Sequence, residues 1–329
     1  MNYRKLGNSG INVSEWSLGC SGIGGLNQLY GSNWGWPEVP DADVEAALAR
    51  ALDLGVNHFD TADLYGCGES ERRLARTLVK LGRRPDEFVI SSKVGWLRGS
   101  AEHAYDPWHI KRQCEQSLRN LQREAIDLYY LHHGNFGPDD RWLEGAAQAL
   151  DELQAEGKIR LKGQSAYSAA DFAKSAPVVR PAVFQSRASL LDVDFVAPDS
   201  PTSALMAREG ITFIAFSPLA AGLLTDAYDP DNPPEFPPGE SRRGNKRFQA
   251  EYLRRLKPKL EAMKAHFHVD AAGLPAIALR YVLDQPHVSA VLNGFQRASD
   301  IESSAGVLDR HLTARELNWL DDLFADLRA

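Results

Sequence analysis

Three features are scarce or missing in this 329-residue chain, and each absence excludes a class of protein. Its only cysteines, Cys20, Cys67 and Cys114, are far apart and form no CxxC pair, so neither a disulfide framework nor a zinc site is indicated. No run of about 18 apolar residues occurs, and the N-terminus lacks an apolar signal region, so no transmembrane helix is expected. We therefore expect a cytoplasmic protein that does not insert into a membrane.

The chain also lacks an excess of basic residues. Its net charge is −7 and its pI is about 5.8, which argues against a nucleic-acid partner, because such proteins normally carry a basic surface. Hydrophobic residues make up 43% and charged residues 25%, the proportions of a globular protein with a large core. The sequence does not distinguish a monomer from a homo-oligomer.

Short runs rich in Val, Ile, Phe and Leu alternate with amphipathic helical stretches along the chain. The eight candidate strands are 15–19, 56–59, 88–92, 126–131, 159–164, 182–185, 211–216 and 288–292. This alternation predicts an α/β protein with one domain, 1–329, in which a parallel sheet closes into a (β/α)₈ TIM barrel. The alternative is an open doubly wound sheet, but the Gly-rich segment 19–25 is not followed by the amphipathic helix that such a fold requires.

Helix boundaries and two further segments complete the predicted architecture. The expected caps and stops are Asp41 with Gly55, Asp106 before Pro107, Gly157, Gly210, and Thr313 with Glu316. Residues 3–13 predict a β-hairpin around Asn8-Ser9-Gly10 that closes the bottom of the barrel. The Pro- and Gly-rich stretch 226–246 after the seventh strand is too long for an ordinary connection, so we interpret it as a lid over a ligand.

Polar side chains end several of the predicted strands, and a barrel of this type carries its chemistry at that end. Asp60 ends the second strand with Tyr65 in its loop, Lys93 ends the third, and His132-His133 end the fourth. The later strands end with Ser165, Gln185, Phe216-Ser217 and Gly294. Asp, Tyr, Lys and His at one end of a barrel predict a proton-transfer site.

The chemistry of that site would depend on a phenol. Tyrosine has an ordinary pKa of about 10, and we expect the Lys93 ammonium to lower it, with Asp60 holding the lysine charged and in place. His132 would either hydrogen-bond a substrate carbonyl or assist the proton relay. No Ser-His-acid order sits at the strand ends, and adjacent His132 and His133 would point in opposite directions, so neither acyl transfer nor metal ligation is expected.

At these residues the chain resembles the aldo-keto reductase family, over nearly its whole length. The matching segments are 59–66 (FDTADLYG) with Glu69-Ser70-Glu71, Ser92-Lys93, 127–132 (DLYYLH), and Ser217-Pro218-Leu219 with Gly222-Leu223-Leu224. The resemblance implies that Tyr65 is the general acid, that Lys93 paired with Asp60 tunes it, and that His132 orients the carbonyl while a nicotinamide cofactor delivers hydride.

The resemblance also implies a cofactor site at the mouth of the barrel. Ser165 and Gln185 would hold the carboxamide and Phe216 would stack on the nicotinamide, with the remaining contacts from Ser217, Leu219, Gly222, Gly294, Phe295, Gln296, Arg297 and Ser304. Three positions depart from the family pattern: Ala166 replaces a common Asn, Phe216 a common Tyr or Trp, and Ser303-Ser304 a frequent Glu-Asn pair. We expect NADP(H) over NAD(H), with Arg297 as the partner of the 2′-phosphate.

The substrate is less constrained by the sequence. Tyr30, Trp34 and Trp36 in the first loop and Trp96 after the third strand are candidates for stacking on a substrate, as is His133 for a polar contact. The motif style resembles bacterial branches that act on sugars and on miscellaneous aldehydes or ketones, so a small carbonyl compound is the expected partner. Two alternatives remain open: a non-catalytic nucleotide-sensing barrel, and an aldolase that uses Lys93 as a Schiff-base nucleophile.

Overall fold

A computed structural model describes residues 1–29 and 32–328, and it confirms the predicted barrel. Its eight parallel strands are β3 (Trp16–Gly19), β6 (His58–Asp60), β7 (Val89–Val94), β8 (Ile126–Leu131), β9 (Ile159–Ser165), β10 (Val183–Arg187), β11 (Thr212–Phe216) and β12 (Val288–Gly294). They pair in this order, and β12 pairs with β3 to close the barrel. Seven of them contain most of one predicted run, and β6 contains the second half of the run 56–59. Tyr30 lies outside the described residues.

Helices follow the barrel strands, as a parallel sheet requires. They are α1 (Asp41–Asp53), α2 (Glu69–Lys80), α3 (Pro107–Leu121), α4 (Leu143–Ala155), α5 (Ala169–Val179), α6 (Pro201–Glu209), α7 (Ala250–Phe267), α8 (Leu274–Leu283), α9 (Ala298–Ser304) and α10 (Ala314–Phe324). Their apolar faces join the outer faces of the strands in one large core. No helix in the described part of the chain is long and apolar enough to cross a membrane.

Most predicted helix boundaries are confirmed, and one is wrong. Asp106 caps α3 by accepting hydrogen bonds from the backbone amides of Trp108 and His109, and Thr313 with Glu316 forms a capping box on α10. Asp41, however, is the first residue of α1 and makes no capping bond. Pro40 occupies the cap position, and the Asp41 carboxylate instead accepts a hydrogen bond from Arg73.

The N-terminal hairpin closes the barrel at the end opposite the predicted site. Its strands are β1 (Tyr3–Lys5) and β2 (Asn12–Ser14), paired antiparallel as predicted. Leu6 and Val13 are fully buried and belong to one apolar cluster with barrel residues such as Leu128 and Ile214. This packing leaves the carboxyl ends of the strands as the open end of the barrel.

A second hairpin, not predicted from the sequence, lies at the open end. Strands β4 (Leu26–Leu29) and β5 (Ser32–Gly35) pair antiparallel within the first strand-to-helix connection. The long stretch 226–246 reaches this hairpin, where Gly35 donates a backbone hydrogen bond to Gly239 at 3.0 Å and accepts one from Ser241 at 3.0 Å. The two connections therefore bridge the mouth of the barrel.

Candidate active site

A cavity of about 1280 Å³ occupies the open end of the barrel. Most of the side chains predicted for the site line it: Asp60, Tyr65, His132, Gln185, Phe216, Ser217, Leu219, Gly222, Gly294, Phe295, Gln296, Ser304, Trp34 and Trp96. Four predicted residues do not: Lys93, Ser165, Arg297 and His133.

Lys93 lies beneath the cavity, where it joins Asp60 to Tyr65. It is fully buried inside β7, one residue before the end of that strand, and its ammonium pairs with the Asp60 carboxylate. The same ammonium donates to the Thr61 carbonyl at 2.8 Å and lies 3.5 Å from the Tyr65 hydroxyl. Ser91 donates to the other Asp60 oxygen at 3.0 Å. The carboxylate and the ammonium are therefore both held in place by hydrogen bonds.

A tight turn after β6 carries Tyr65 over this ion pair. Gly66 has a φ of +61°, and a side chain there would collide with the Gly24 carbonyl oxygen. Gly24 itself packs on the Tyr65 backbone, since a Cβ built on it would lie 2.8 Å from the Tyr65 carbonyl carbon. Two glycines thus let the segment before β4 rest on the Tyr65 turn, which fixes the phenol relative to the barrel.

His132 directly follows β8 and faces the cavity beside Tyr65. Its backbone amide donates to the Val94 carbonyl at 2.9 Å, which continues the ladder between β7 and β8. The imidazole and the Tyr65 ring meet edge to face with centroids 6.0 Å apart. Its Nδ1 atom is buried and has no hydrogen-bond partner. The ring is therefore positioned by packing.

The electrostatics of the phenol differ from the sequence-based expectation. Burial, with a further contribution from the Asp60 carboxylate, raises the pKa of Tyr65 well above its ordinary value. The net shift is therefore upward, whereas the sequence led us to expect a lowered pKa, and the charge of Lys93 is paired with Asp60. Burial, with the Lys93 ammonium, lowers the pKa of His132 well below its ordinary value. At neutral pH the site holds a protonated phenol and a neutral imidazole.

The cavity is well suited to a nicotinamide cofactor beyond the catalytic residues. Ser165, the last residue of β9, is 1% exposed, and its hydroxyl is buried without a hydrogen-bond partner. Gln185 lines the cavity and donates to Asp60 at 2.9 Å, which ties it to the catalytic ion pair. Ala166 is fully buried and offers no side-chain hydrogen bond. Of the two residues expected to hold a carboxamide, Gln185 therefore lines the cavity, whereas Ser165 is buried and does not.

The connection after β11 has an unusual backbone that lines the same cavity. Ser217, Ala220 and Ala221 have φ values of +54°, +49° and +56°, and Gly222 has +96°. Left-handed conformations are uncommon outside glycine and cluster at ligand sites. Leu219 lies between these residues and also lines the cavity. The segment therefore combines an uncommon backbone conformation with a position on the cavity wall.

The far end of the cavity, at α9, differs from the prediction. Arg297 is exposed and does not line the cavity. Asp300, which the sequence reading missed, does line it, and its carboxylate accepts hydrogen bonds from the backbone amides of Gln296 at 2.8 Å and Arg297 at 3.0 Å. An acidic residue in the first turn of a helix after a strand is the signal that could have identified it. Ser304 lines the cavity and bonds Asn293 at 3.2 Å.

Aromatic side chains surround the entrance near Tyr65. Trp34 and Trp96 are 42% and 44% exposed, and Tyr167, missed from the sequence, is 44% exposed. His133 does not line the cavity. Its Nε2 lies 2.7 Å from the Gly95 carbonyl oxygen, and its ring packs edge to face against Trp96 with centroids 4.7 Å apart. The histidine therefore packs behind Trp96, outside the cavity lining, and does not contact a substrate held in the cavity.

Several further polar side chains line the cavity without having been predicted, among them Asn27 and Arg242. Asn27 lies on β4, and Arg242 lies in the long stretch 226–246. Both depend on connections whose structure the sequence pattern did not indicate. Within the described residues, no group of three or more His, Cys, Asp or Glu side chains is arranged to hold a metal ion.

Comparison with known proteins agrees with this geometry. The sequence profile of the Aldo/keto reductase family matches residues 25–325. The chain is 29% identical over 312 residues to the aldo-keto reductase yakc [NADP(+)] of Schizosaccharomyces pombe, covering 93% of this chain and 86% of that protein. It is 34% identical over 314 residues to an uncharacterized oxidoreductase of Mycobacterium tuberculosis, covering 94% and 89%.

A solved structure shows the same fold along almost the whole chain. The glycerol dehydrogenase from Gluconobacter oxydans superposes with a TM-score of 0.79 at 25% sequence identity, covering 98% of this chain and 95% of that one. The barrel, the residues gathered at its open end and the matched profile point to one assignment. The chain belongs to the aldo/keto reductase family and is an oxidoreductase that reduces carbonyl groups with NAD(P)H.

Proposed function

We propose that this enzyme reduces a small aldehyde or ketone to the alcohol with NADPH, and that Tyr65 is the general acid. The observation that carries the proposal is the position of the Tyr65 hydroxyl, on the cavity wall and 3.5 Å from the buried Lys93 ammonium. A proton donor beside a fixed positive charge suits a reaction in which negative charge develops on a carbonyl oxygen. When bound, the cofactor supplies the hydride.

Four residues have separate roles in the proposed proton transfer. The raised pKa of Tyr65 keeps its proton available at neutral pH, and giving it up leaves a phenolate. The Lys93 ammonium stabilises that phenolate, and Asp60 holds the ammonium in place. His132 stays neutral and donates a hydrogen bond to the substrate carbonyl oxygen, which orients it toward Tyr65.

The Lys93 environment argues against the aldolase alternative. A Schiff-base lysine must reach the substrate with a free lone pair. Here the Lys93 nitrogen is fully buried, pairs with Asp60 and donates to Thr61, and the residue does not line the cavity. Lys93 therefore acts through Tyr65, as a positioning residue.

The phenylalanine variant of Tyr65 tests the general-acid role. We expect Tyr65→Phe to lower kcat for benzaldehyde reduction by about 10²- to 10⁴-fold, the usual contribution of a positioned proton donor. NADPH binding, followed by quenching of protein fluorescence, should persist. Tyr3→Phe, a change in an exposed phenol at the opposite end of the barrel, is the matched control.

Two results would contradict the proposal. If Tyr65→Phe kept most of the wild-type rate, Tyr65 would not be the acid. If the wild-type enzyme bound NADPH but reduced no aldehyde or ketone in a broad panel, the chain would be a nucleotide-sensing barrel instead.

Cofactor preference depends on two opposite charges at α9. We propose that NADPH is preferred, as the name of the fission-yeast relative suggests for that protein, with the Arg297 guanidinium pairing with the 2′-phosphate. The Asp300 carboxylate opposes this preference, because it lines the same end of the cavity and carries negative charge.

Titration of both cofactors against two variants tests this proposal. Arg297→Ala should weaken NADPH binding about tenfold and leave NADH binding nearly unchanged. Asp300→Asn should strengthen NADPH binding relative to NADH, since it removes the repulsion from a phosphate. Unchanged NADPH affinity in Arg297→Ala would eliminate the role given to that arginine.

A further inference from the structure

The β4–β5 hairpin places two side chains beside the catalytic tyrosine. Asn27 and Trp34 are directly opposite each other in the antiparallel register, so their side chains share one face of the hairpin. Both line the cavity. Because Gly24, at the base of the hairpin, packs on the Tyr65 backbone, this face has a fixed position relative to the phenol.

The Asn27 amide is oriented by the catalytic turn and has an unused donor. Its Oδ1 accepts a hydrogen bond from the Cys67 backbone amide at 3.1 Å, two residues after Tyr65. A backbone N–H can pair only with the oxygen of the side-chain amide, so the NH₂ end is the one left over. Asn27 is 1% exposed, and this nitrogen has no hydrogen-bond partner. A buried donor without an acceptor is costly and suits a ligand that supplies the acceptor.

Aromatic and apolar side chains make up much of the lining around Tyr65 and His132. Trp34, Trp96 and Tyr167 present partly exposed rings, and Leu64 and Phe216 add further apolar lining. A polyhydroxylated sugar would need several polar partners to replace its bound water. Aromatic walls with one buried donor instead match a flat, mainly apolar molecule that carries one oxygen besides its reacting carbonyl.

We infer that Asn27 is a specificity-determining residue that donates a hydrogen bond to a substrate oxygen other than the reacting carbonyl. The substrate class is an aromatic or similarly planar aldehyde or ketone with one additional acceptor oxygen, stacked against Trp34 and Trp96. This inference rests on the proposed carbonyl reduction, with Tyr65 as the acid.

Substrate comparison with the wild-type enzyme is the first test. Initial rates with NADPH would be measured for benzaldehyde, for 2-, 3- and 4-methoxybenzaldehyde, and for the hydroxyaldehyde D-erythrose. The three isomers place one acceptor group at different distances from the carbonyl. We expect at least one isomer to exceed benzaldehyde about tenfold in kcat/KM, and D-erythrose to be the poorest substrate. No preferred isomer, or D-erythrose as the best substrate, would overturn the inference.

The variant Asn27→Asp separates recognition from structural support. It keeps an oxygen that can accept from Cys67 and replaces only the NH₂ group. We expect the ratio of kcat/KM for the preferred isomer to that for benzaldehyde to fall at least tenfold. An unchanged ratio, with both rates lowered together, would mean that Asn27 only supports the Tyr65 turn and would overturn the inference.

The stacking part of the inference has its own variant pair. Trp34→Ala should raise KM for the aromatic aldehydes about tenfold, whereas Trp108→Ala, which removes a 68% exposed ring outside the cavity lining, should not. Equal effects of the two changes would contradict the stacking role and would remain informative if Asn27→Asp failed to fold. Failure of the wild-type enzyme to reduce any aldehyde or ketone would count against the proposed function, whereas a missing isomer preference counts against Asn27 alone.

Discussion

Asp63, three residues beyond the catalytic Asp60, lies in a polar motif where an ionised carboxylate would be expected, but burial favours its protonated form. It is 3% exposed, one of its oxygens accepts from Gln113 at 3.0 Å, and the other has no partner. Burial raises its pKa to about 8, and the Glu71 carboxyl adds to the increase. Asp63 is therefore mostly protonated at neutral pH and is a structural hydrogen-bonding group.

This raised pKa predicts a pH-dependent stability. The folded protein holds the Asp63 proton more tightly than the unfolded chain, whose pKa is near 3.8. The resulting stabilisation is complete below about pH 4 and is lost as the pH rises through about 8. Asp63→Asn should therefore raise the free energy of unfolding at pH 8, by about 1–3 kcal/mol, and much less at pH 4.

Urea unfolding at pH 4, 6 and 8 measures this difference. The matched control is Asp322→Asn, which removes an exposed carboxylate from α10. Curves for Asp63→Asn and the wild type that stay parallel across this range would show that Asp63 does not titrate as described.

Among the connecting elements, the stretch 226–246 has the clearest mechanical role. Arg242 lies over the rings of Trp36 at 5.2 Å and Phe236 at 4.4 Å, and it pairs with the buried Glu240 at 2.9 Å. Trp36 in turn donates to the Ser21 hydroxyl at 2.9 Å. With the backbone bonds to Gly35, these contacts join the stretch to the β4–β5 hairpin across the mouth of the cavity. We call the contacts of Arg242 with Trp36, Phe236 and Glu240 the latch. The interpretation of the stretch as a lid, made from the sequence, remains a proposal.

The latch predicts slow cofactor release. Removing the guanidinium in Arg242→Ala should speed NADPH dissociation about tenfold, because a cation–π contact and a charge-assisted hydrogen bond are lost together. Stopped-flow fluorescence with excess unlabelled NADP⁺ as competitor would measure the rate. Arg243→Ala, which alters the exposed neighbour, is the control. Equal dissociation rates for wild type and Arg242→Ala would mean that the latch does not govern release.

At the scale of the whole molecule, one end of the barrel is closed by packing, and the opposite end holds the candidate active site. The N-terminal hairpin fills one end with Leu6 and Val13, and there Glu15 pairs with Arg280 in a buried salt bridge of 2.9 Å. The other end has no such closure and holds the cavity. Apolar packing at the closed end stabilises the barrel. The open end can therefore hold buried charged groups, such as Asp60 and Lys93, whose burial costs free energy.

Local sequence determined the barrel and the order of its catalytic side chains. Short apolar runs and helices with clear caps and stops can be recognised without a distant partner. The order of the carboxylate, the phenol, the lysine and the histidine follows from their positions at or near the ends of successive strands. Strand bounds shifted by a few residues, so Lys93 lies inside β7 and under the site rather than on its wall. Asp41 failed as a cap because the adjacent Pro40 already occupies that position.

Tertiary structure decided what depends on distant contacts. Burial is a property of the assembled barrel, so it reversed the expected pKa shift of Tyr65 and made Asp63 neutral. The β4–β5 hairpin acquired a site role only by resting on the Tyr65 turn, which brought in Asn27. The residue types at the site and their order along the chain are thus set by the sequence alone. The charge state and exposure of these residues and the shape of the substrate end are set by packing, because each depends on contacts with residues far away in sequence.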